Sequence, residues 1–193
     1  MPRAPDLIPG FTPETQLERD VTEDPELLAG LAWGEPRPGH PEGSVGAHVG
    51  DLLETIDEAG EAADDRLALR FVALLDDSFK YRVHEWLPKT GSNHHAARAR
   101  RFAERYTDDE RLLGVIEHHD RPYALWRKMR RRGELDEAGF RRMMRGIPDP
   151  RLFLSFVELD GGTEGKKPEP IEWFRGELRR RGSVETSSVR PHP

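Results

Sequence analysis

Apolar positions along this chain recur at steps of three and four. Over 44–59, Val45, His48, Val49, Leu52, Leu53 and Ile56 form one stripe with acids on the other side, which predicts an amphipathic helix. Residues 64–78 repeat the pattern with Leu67, Phe71, Leu74 and Leu75. Here the apolar run from Phe71 to Leu75 passes directly into two adjacent carboxylates, Asp76 and Asp77. Further helices are predicted over 93–106, 108–119, 122–132, 136–145 and 148–160, the last with Phe153, Phe156 and Val157 on one face. The stretch "PEPIEWFRGELRRR", 168–181, predicts a final amphipathic helix. "DPELLAGLAW", 24–33, predicts a short one, with Asp24 as cap and Pro25 in its first position. "GEPRPGHPEG", 34–43, is a loop by composition, and 81–92, with Pro88 and Gly91, is a linker. Residues 1 to about 22 are Pro-rich and acidic, with little periodicity, and read as an arm that packs or stays loose. No strand pattern or repeat occurs, so the expected fold class is all-α. The expected organisation is an N-terminal arm with a short helix over 1–37, a helical domain over 38–162, a C-terminal helix over 163–181 and a disordered tail over 182–193.

Composition narrows the function classes. Hydrophobic residues make up 35% and charged residues 34%, which leaves a modest core and solvated ends. With no cysteine, disulfides, thiolate zinc sites and cysteine nucleophiles are excluded. No stretch approaches the ~18 consecutive apolar residues of a membrane span, and the N-terminus lacks a signal-peptide pattern, so the expectation is a soluble, cytoplasmic protein. A net charge of -6 argues against a dedicated nucleic-acid binder. One local exception is 121–145, with nine Arg or Lys against three acids, read either as a solvated helix face or as a basic lip for an anionic substrate. Trp33, Trp86, Trp126 and Trp173 are too scattered for a base-stacking platform and read as core or rim. "DGGTEGKK", 160–167, lacks the spacing of a phosphate-cradling loop.

The histidines and several acids fall on the apolar stripes. His48 lies between Val45 and Leu52; His119 continues Leu112 and Val115 or Ile116, with His118 as its neighbour; Asp160 follows Phe153, Phe156 and Val157 at the same steps. Together with Asp76 and Asp77, imidazoles and carboxylates from four predicted helices point inward. A buried, unpaired carboxylate costs several kcal/mol, so three such aspartates need positive charge. Arginine or protonated histidine is one source. One or two divalent ions held by mixed His and Asp are the other, and this donor set suits Mn, Fe, Zn, Co or Mg.

In chain order the pattern is His48, then Asp76-Asp77-x-x-Lys80, His94, His118-His119 and Asp160. It resembles the HD-domain superfamily of metal-dependent phosphohydrolases over roughly residues 38–162. "HPEGSVGAHVGDLLETID" is similar to the segment that opens the HD domain of some tRNA nucleotidyltransferases, and "ALLDDSFK" to the "LLHDIGK" segment that names the superfamily. "NHHAARARRFAERY" resembles the following "GHxxxGA" helix, "VIEHHDRPY" the closing His-His segment, and "FVELDG" the helix with the last aspartate ligand. The resemblance implies an HD-domain-like helical bundle in which His48, Asp77, His94, His118 and Asp160 ligate metal, with His119 as a further candidate and Asp77 bridging if two ions bind. His94 is preferred to His95 because it sets Arg98-Ala99 where the family has Gly-Ala. Lys80 would hold a substrate phosphate or orient a water, and Arg98 would steer the anion. Two departures stand out: Asp76 replaces the eponymous histidine, and Phe79 replaces the glycine before the lysine. Asp76 then either ligates a harder ion or marks a degenerate site.

Three functions follow as expectations. The first is hydrolysis of a nucleotide or other small phosphate ester by a metal-activated water, with Asp77 and Lys80 as the catalytic pair. The second is di-iron oxygenase chemistry on the same ligands, since some HD-fold proteins resemble inositol and phosphonate oxygenases. The third is a catalytically silent HD-fold binding or regulatory protein, to which Asp76 lends support. His84 reads as a surface residue, and His40 as a loop residue that could cover the site.

Overall fold

The computed structural model describes residues 2–36, 43–162 and 167–184. The described chain is helical, without a strand among its described residues, and forms an all-α bundle. His40, His192 and the segment 185–193 lie outside the described residues.

Several helices begin where a short polar side chain satisfies the first free amides. Ser44 accepts from the Ala47 amide and starts α4, Val45–Glu58. Asp109 starts α7, Glu110–His118; Asp136 starts α9, Glu137–Arg145; Asp149 starts α10, Pro150–Gly161. The remaining helices are α5, Ala63–Leu75; α6, His95–Ala103; α8, Arg121–Arg132; and α11, Glu169–Arg180. Gly133, at φ 79°, terminates α8 in the left-handed conformation. The stripe predicted over 44–59 is the buried face of α4, and α4, α5, α7 and α10 pack on one another through such faces. Helix α6 lies along α7, while α11 braces α8 and α10. No helix among the described residues is long and apolar enough to cross a membrane.

The first 36 residues form α1, Ala4–Leu7; α2, Gln16–Thr22; and α3, Pro25–Leu31, the last capped by Asp24 as its sequence predicts. Ile8, Phe11 and Val21 are buried in the main core, so the arm packs. A buried ion pair ties it down: Arg70 of α5 reaches Glu18 at 3.1 Å, Asp57 at 2.7 Å and the Thr12 carbonyl at 3.1 Å. Glu18 also accepts from the Thr15 amide, so one carboxylate caps α2 and neutralises Arg70.

Helix α5 stops at Leu75, three residues before the apolar pattern predicts. The Ser78 hydroxyl donates back to the Leu74 carbonyl at 2.7 Å, and the Ser78 amide bonds to Leu75. These bonds divert the backbone out of the helical ladder. The turn of Asp76 to Ser78 is pressed onto α3, where a Cβ at Gly30 would lie 1.8 Å from the Ser78 carbonyl oxygen. Gly30→Ala is expected to destabilise the fold by about 1–3 kcal/mol in urea unfolding, because helix or turn must retreat. Gly176→Ala, in α11 with open space around its Cα, should instead be neutral or stabilising by up to about 1 kcal/mol. Equal effects of the two substitutions would show that the α3 contact does not constrain the turn.

Candidate metal centre

Titratable side chains meet at one end of the bundle. The diverted turn carries Asp76 and Asp77; α4 supplies His48, α6 supplies His95, α7 ends at His119, and α10 supplies Asp160. His48 Nε2 lies 3.3 Å from Asp160 Oδ1. His95 Nε2 is 3.7 Å from Asp77 Oδ1 and 3.3 Å from His119 Nε2. Lys80 Nζ donates to Asp77 Oδ2 at 2.5 Å. Two triads have donor atoms within 4.8 Å of one another, namely His48, Asp76 and Asp77, and Asp77, His95 and His119. Asp77 belongs to both.

The donors fit a metal. Two ligands about 2.1 Å from one ion lie at most about 4.2 Å apart, so closing either triad needs only small side-chain rotations. His119 donates from Nδ1 to the Ile116 carbonyl at 2.9 Å, which fixes its ring and turns Nε2 toward His95. Asp76 is buried, and neither of its oxygens has a hydrogen-bond partner among the described residues. An orphaned buried carboxylate beside a second one is a binding determinant for a cation.

Metal-free electrostatics show the same demand. Burial and the adjacent Asp77 push the Asp76 carboxyl up to about 7. Burial would raise Asp77 as well, but the charges of Lys80 and His119 hold it well below the ordinary carboxylate range. Burial lowers His95 to about 3, with the neighbouring His119 acting in the same sense. His119 is raised despite its burial, because Asp120, Asp76 and Asp77 face it. Of the two facing rings, His119 is therefore the one that holds a proton more readily.

Of the two histidines that open α6, His94 is the cap. Its Nδ1 accepts from the Ala96 amide at 3.3 Å, and its Nε2 donates to Asp120 at 3.1 Å. Both nitrogens are engaged, so His95, one residue on, is the ring that faces Asp77. Asp120 has no counterpart among the sequence candidates. Burial would raise its carboxyl, but the bond from His94 and the charge of His119 hold it well below the ordinary range. His94, His95 and Asp120 form a third close group, which braces the start of α6 against the start of α8. His118 packs elsewhere, against Gly146 at the end of α9, where a Cβ would lie 2.1 Å from His118 Nε2. Arg98 also points elsewhere and lines a separate cleft. His84 is exposed, with its ring 4.9 Å from Trp86.

Above the centre opens a cavity of about 600 Å³. Asp77, Lys80, His95, His119 and Asp160 line its polar part, and Lys167 a further part of its wall. Its apolar side includes Tyr123 and Trp126, stacked at 6.0 Å with 20° between their planes. Positions 123 and 126 sit one turn apart on α8, so two residues that look scattered along the chain share one wall. Compared with protein-family models, curated proteins and solved structures, the chain shows no match.

Asp76 gives a pH dependence whose sign is fixed. Its folded carboxyl holds a proton up to about pH 7 and its unfolded one only to the ordinary range near 4. The folded state thus binds the extra proton between these values, and this group's contribution to stability falls as pH rises through that window. With a chelator present, Asp76→Asn should be more stable than the native chain at pH 8, by of order 1–4 kcal/mol. The difference should close below about pH 4. Chemical unfolding across this range checks it, and parallel pH curves for the two chains would show that Asp76 carries no such cost.

Proposed function

We propose that this chain is a metal-dependent phosphohydrolase of the HD type, acting on a nucleotide or another small phosphate ester. The observation that carries the reading is the double use of Asp77, shared between two His/Asp triads on the floor of a cavity that also holds Lys80. His48, Asp76 and Asp160 stand on one side of Asp77; His95 and His119 stand on the other. One or two divalent ions held there (Mn, Fe, Co, Zn or Mg) supply Lewis acidity toward phosphoryl oxygens and acidify a water for attack on phosphorus.

The chain's own residues do the rest. Lys80, pinned to Asp77, presents a fixed positive charge at the cavity floor and stabilises negative charge that develops on a phosphoryl group. Lys167 adds a second cation on the lining. Asp77, Asp120 and Asp160 line the same cavity, so an anionic substrate would depend on the bound ions as well as on the two lysines. The Tyr123–Trp126 wall offers a flat face to a base, which favours nucleotides among the esters.

The decisive measurement is metal content by elemental mass spectrometry on tag-free protein, before and after incubation with Mn and Mg. One or two bound equivalents are expected in the native chain and a loss in Asp77→Ala, with phosphate release from nucleoside monophosphates falling by at least about 100-fold. Stoichiometric iron without phosphatase activity would move the assignment to dioxygen chemistry. No bound metal under any condition would leave a catalytically silent HD-fold binding protein. Trp126→Ala should raise KM for a nucleoside monophosphate by about tenfold and leave KM for glycerol phosphate unchanged; a matched rise for both would remove the stacking role.

A further inference from the structure

A second concave site lies on the outer face of α6. The positions Arg98, Arg101, Phe102 and Arg105 follow steps of three, one and three, which places them on one face of the helix and of the turn that follows it. Arg82, from the short 3₁₀ turn after α5, and Glu26, at the start of α3, complete a cleft of about 200 Å³. None of these residues lines the cavity over the metal centre.

The charge in the cleft is unbalanced. Four guanidinium groups face one carboxylate, and that carboxylate is already divided between two of them. Glu26 lies 3.3 Å from Arg82 and 3.2 Å from Arg105. Arg105 has a second partner in Asp24 at 3.1 Å. Among the described residues, by contrast, Arg98 Nε is buried with no hydrogen-bond partner. No ion pair among them reaches Arg98 or Arg101. A buried guanidinium donor without an acceptor is a cost that an anionic ligand removes.

Two of the guanidinium groups are also held in place before any ligand arrives. Arg105 lies over the Phe102 ring at 4.3 Å. Arg82 donates from Nε to the Tyr81 hydroxyl at 3.1 Å, and that hydroxyl donates to the Glu26 carbonyl at 3.0 Å. Stacked and hydrogen-bonded arginines lose less freedom on binding, and their forked donors match tetrahedral oxyanions. The small volume suits a phosphoryl group rather than a whole nucleoside. We propose that this arginine cleft is a second binding site, specific for a phosphoryl-bearing anion and separate from the metal centre. It stands whether or not the centre hydrolyses phosphate esters.

Calorimetric titration of the full chain, at physiological salt with a chelator present, tests it with inorganic phosphate and 5′-AMP as probes. Saturable binding is expected for the native chain. It should weaken by about tenfold or more in Arg98→Ala/Arg101→Ala and persist in Asp77→Ala. Because Arg101 is exposed, Arg101→Glu alone should retain the fold, verified by an unchanged unfolding curve, and should also weaken binding. Equal affinity for the two probes would identify the free phosphoryl group as sufficient; binding of 5′-AMP alone would identify an ester as the ligand. The proposal is overturned if neither probe binds, if the arginine variants bind as the native chain does, or if Asp77→Ala abolishes binding. Loss in Asp77→Ala would assign the anion to the metal centre instead.

Discussion

Two consecutive carboxylates at the end of an apolar helix set the terms for this molecule. The run from Phe71 to Leu75 drives the end of α5 into the core and takes Asp76 and Asp77 with it. Repulsion between them grows as water is withdrawn, and so does the cost of leaving either one charged without a partner. The surroundings are organised around that cost. Lys80 covers Asp77, the acids around His119 raise its affinity for a proton, and His48 sits against Asp160. Neither oxygen of Asp76 receives a hydrogen bond among the described residues. Protonation relieves it in the metal-free state, and a cation would relieve it where the ligands are deprotonated.

The helices themselves were legible because the stripes are long and the caps explicit. Ser44 before Val45 and Asp24-Pro25 before Glu26 mark helix starts by chemistry that acts within four residues. The convergence of His48, Asp76, Asp77, His119 and Asp160 was legible for the same reason, since polar groups on apolar stripes must meet in the interior. What periodicity could not resolve was the choice between neighbours. His94 and His95 differ by one position, and the capping bond that occupies His94 depends on backbone angles at the start of α6. His118 and His119 differ in the same way, with His118 turned toward Gly146. The early end of α5 rests on a serine back-bond and a glycine on a distant helix, neither of which leaves a periodic trace. Asp120 lies between two predicted helices, where stripe arguments do not reach. The Tyr123–Trp126 wall and the arginine face of α6 were present as helical spacings but became sites only once other elements closed over them.

Helix α6 joins these features physically. Its first turn presents His95 to the acids and anchors His94 to Asp120; its outer face carries three of the four cleft arginines or leads into them. The acidic centre and the basic cleft are thus built on different faces of one short rod, which keeps opposite charges from cancelling each other directly. An overall negative chain can in this way offer both a seat for cations and a seat for anions.

The side chains of the centre also lie far apart along the chain. His48 sits in α4, whereas His119 ends α7 and Asp160 lies near the end of α10. A chain leaving the ribosome holds Asp76, Asp77 and Lys80 together well before His119 and Asp160 exist. Until α7 has emerged, the two acids lack His119, and Lys80 is the charge that offsets Asp77. The centre is therefore complete only once α10, the last of its contributing helices, has been made.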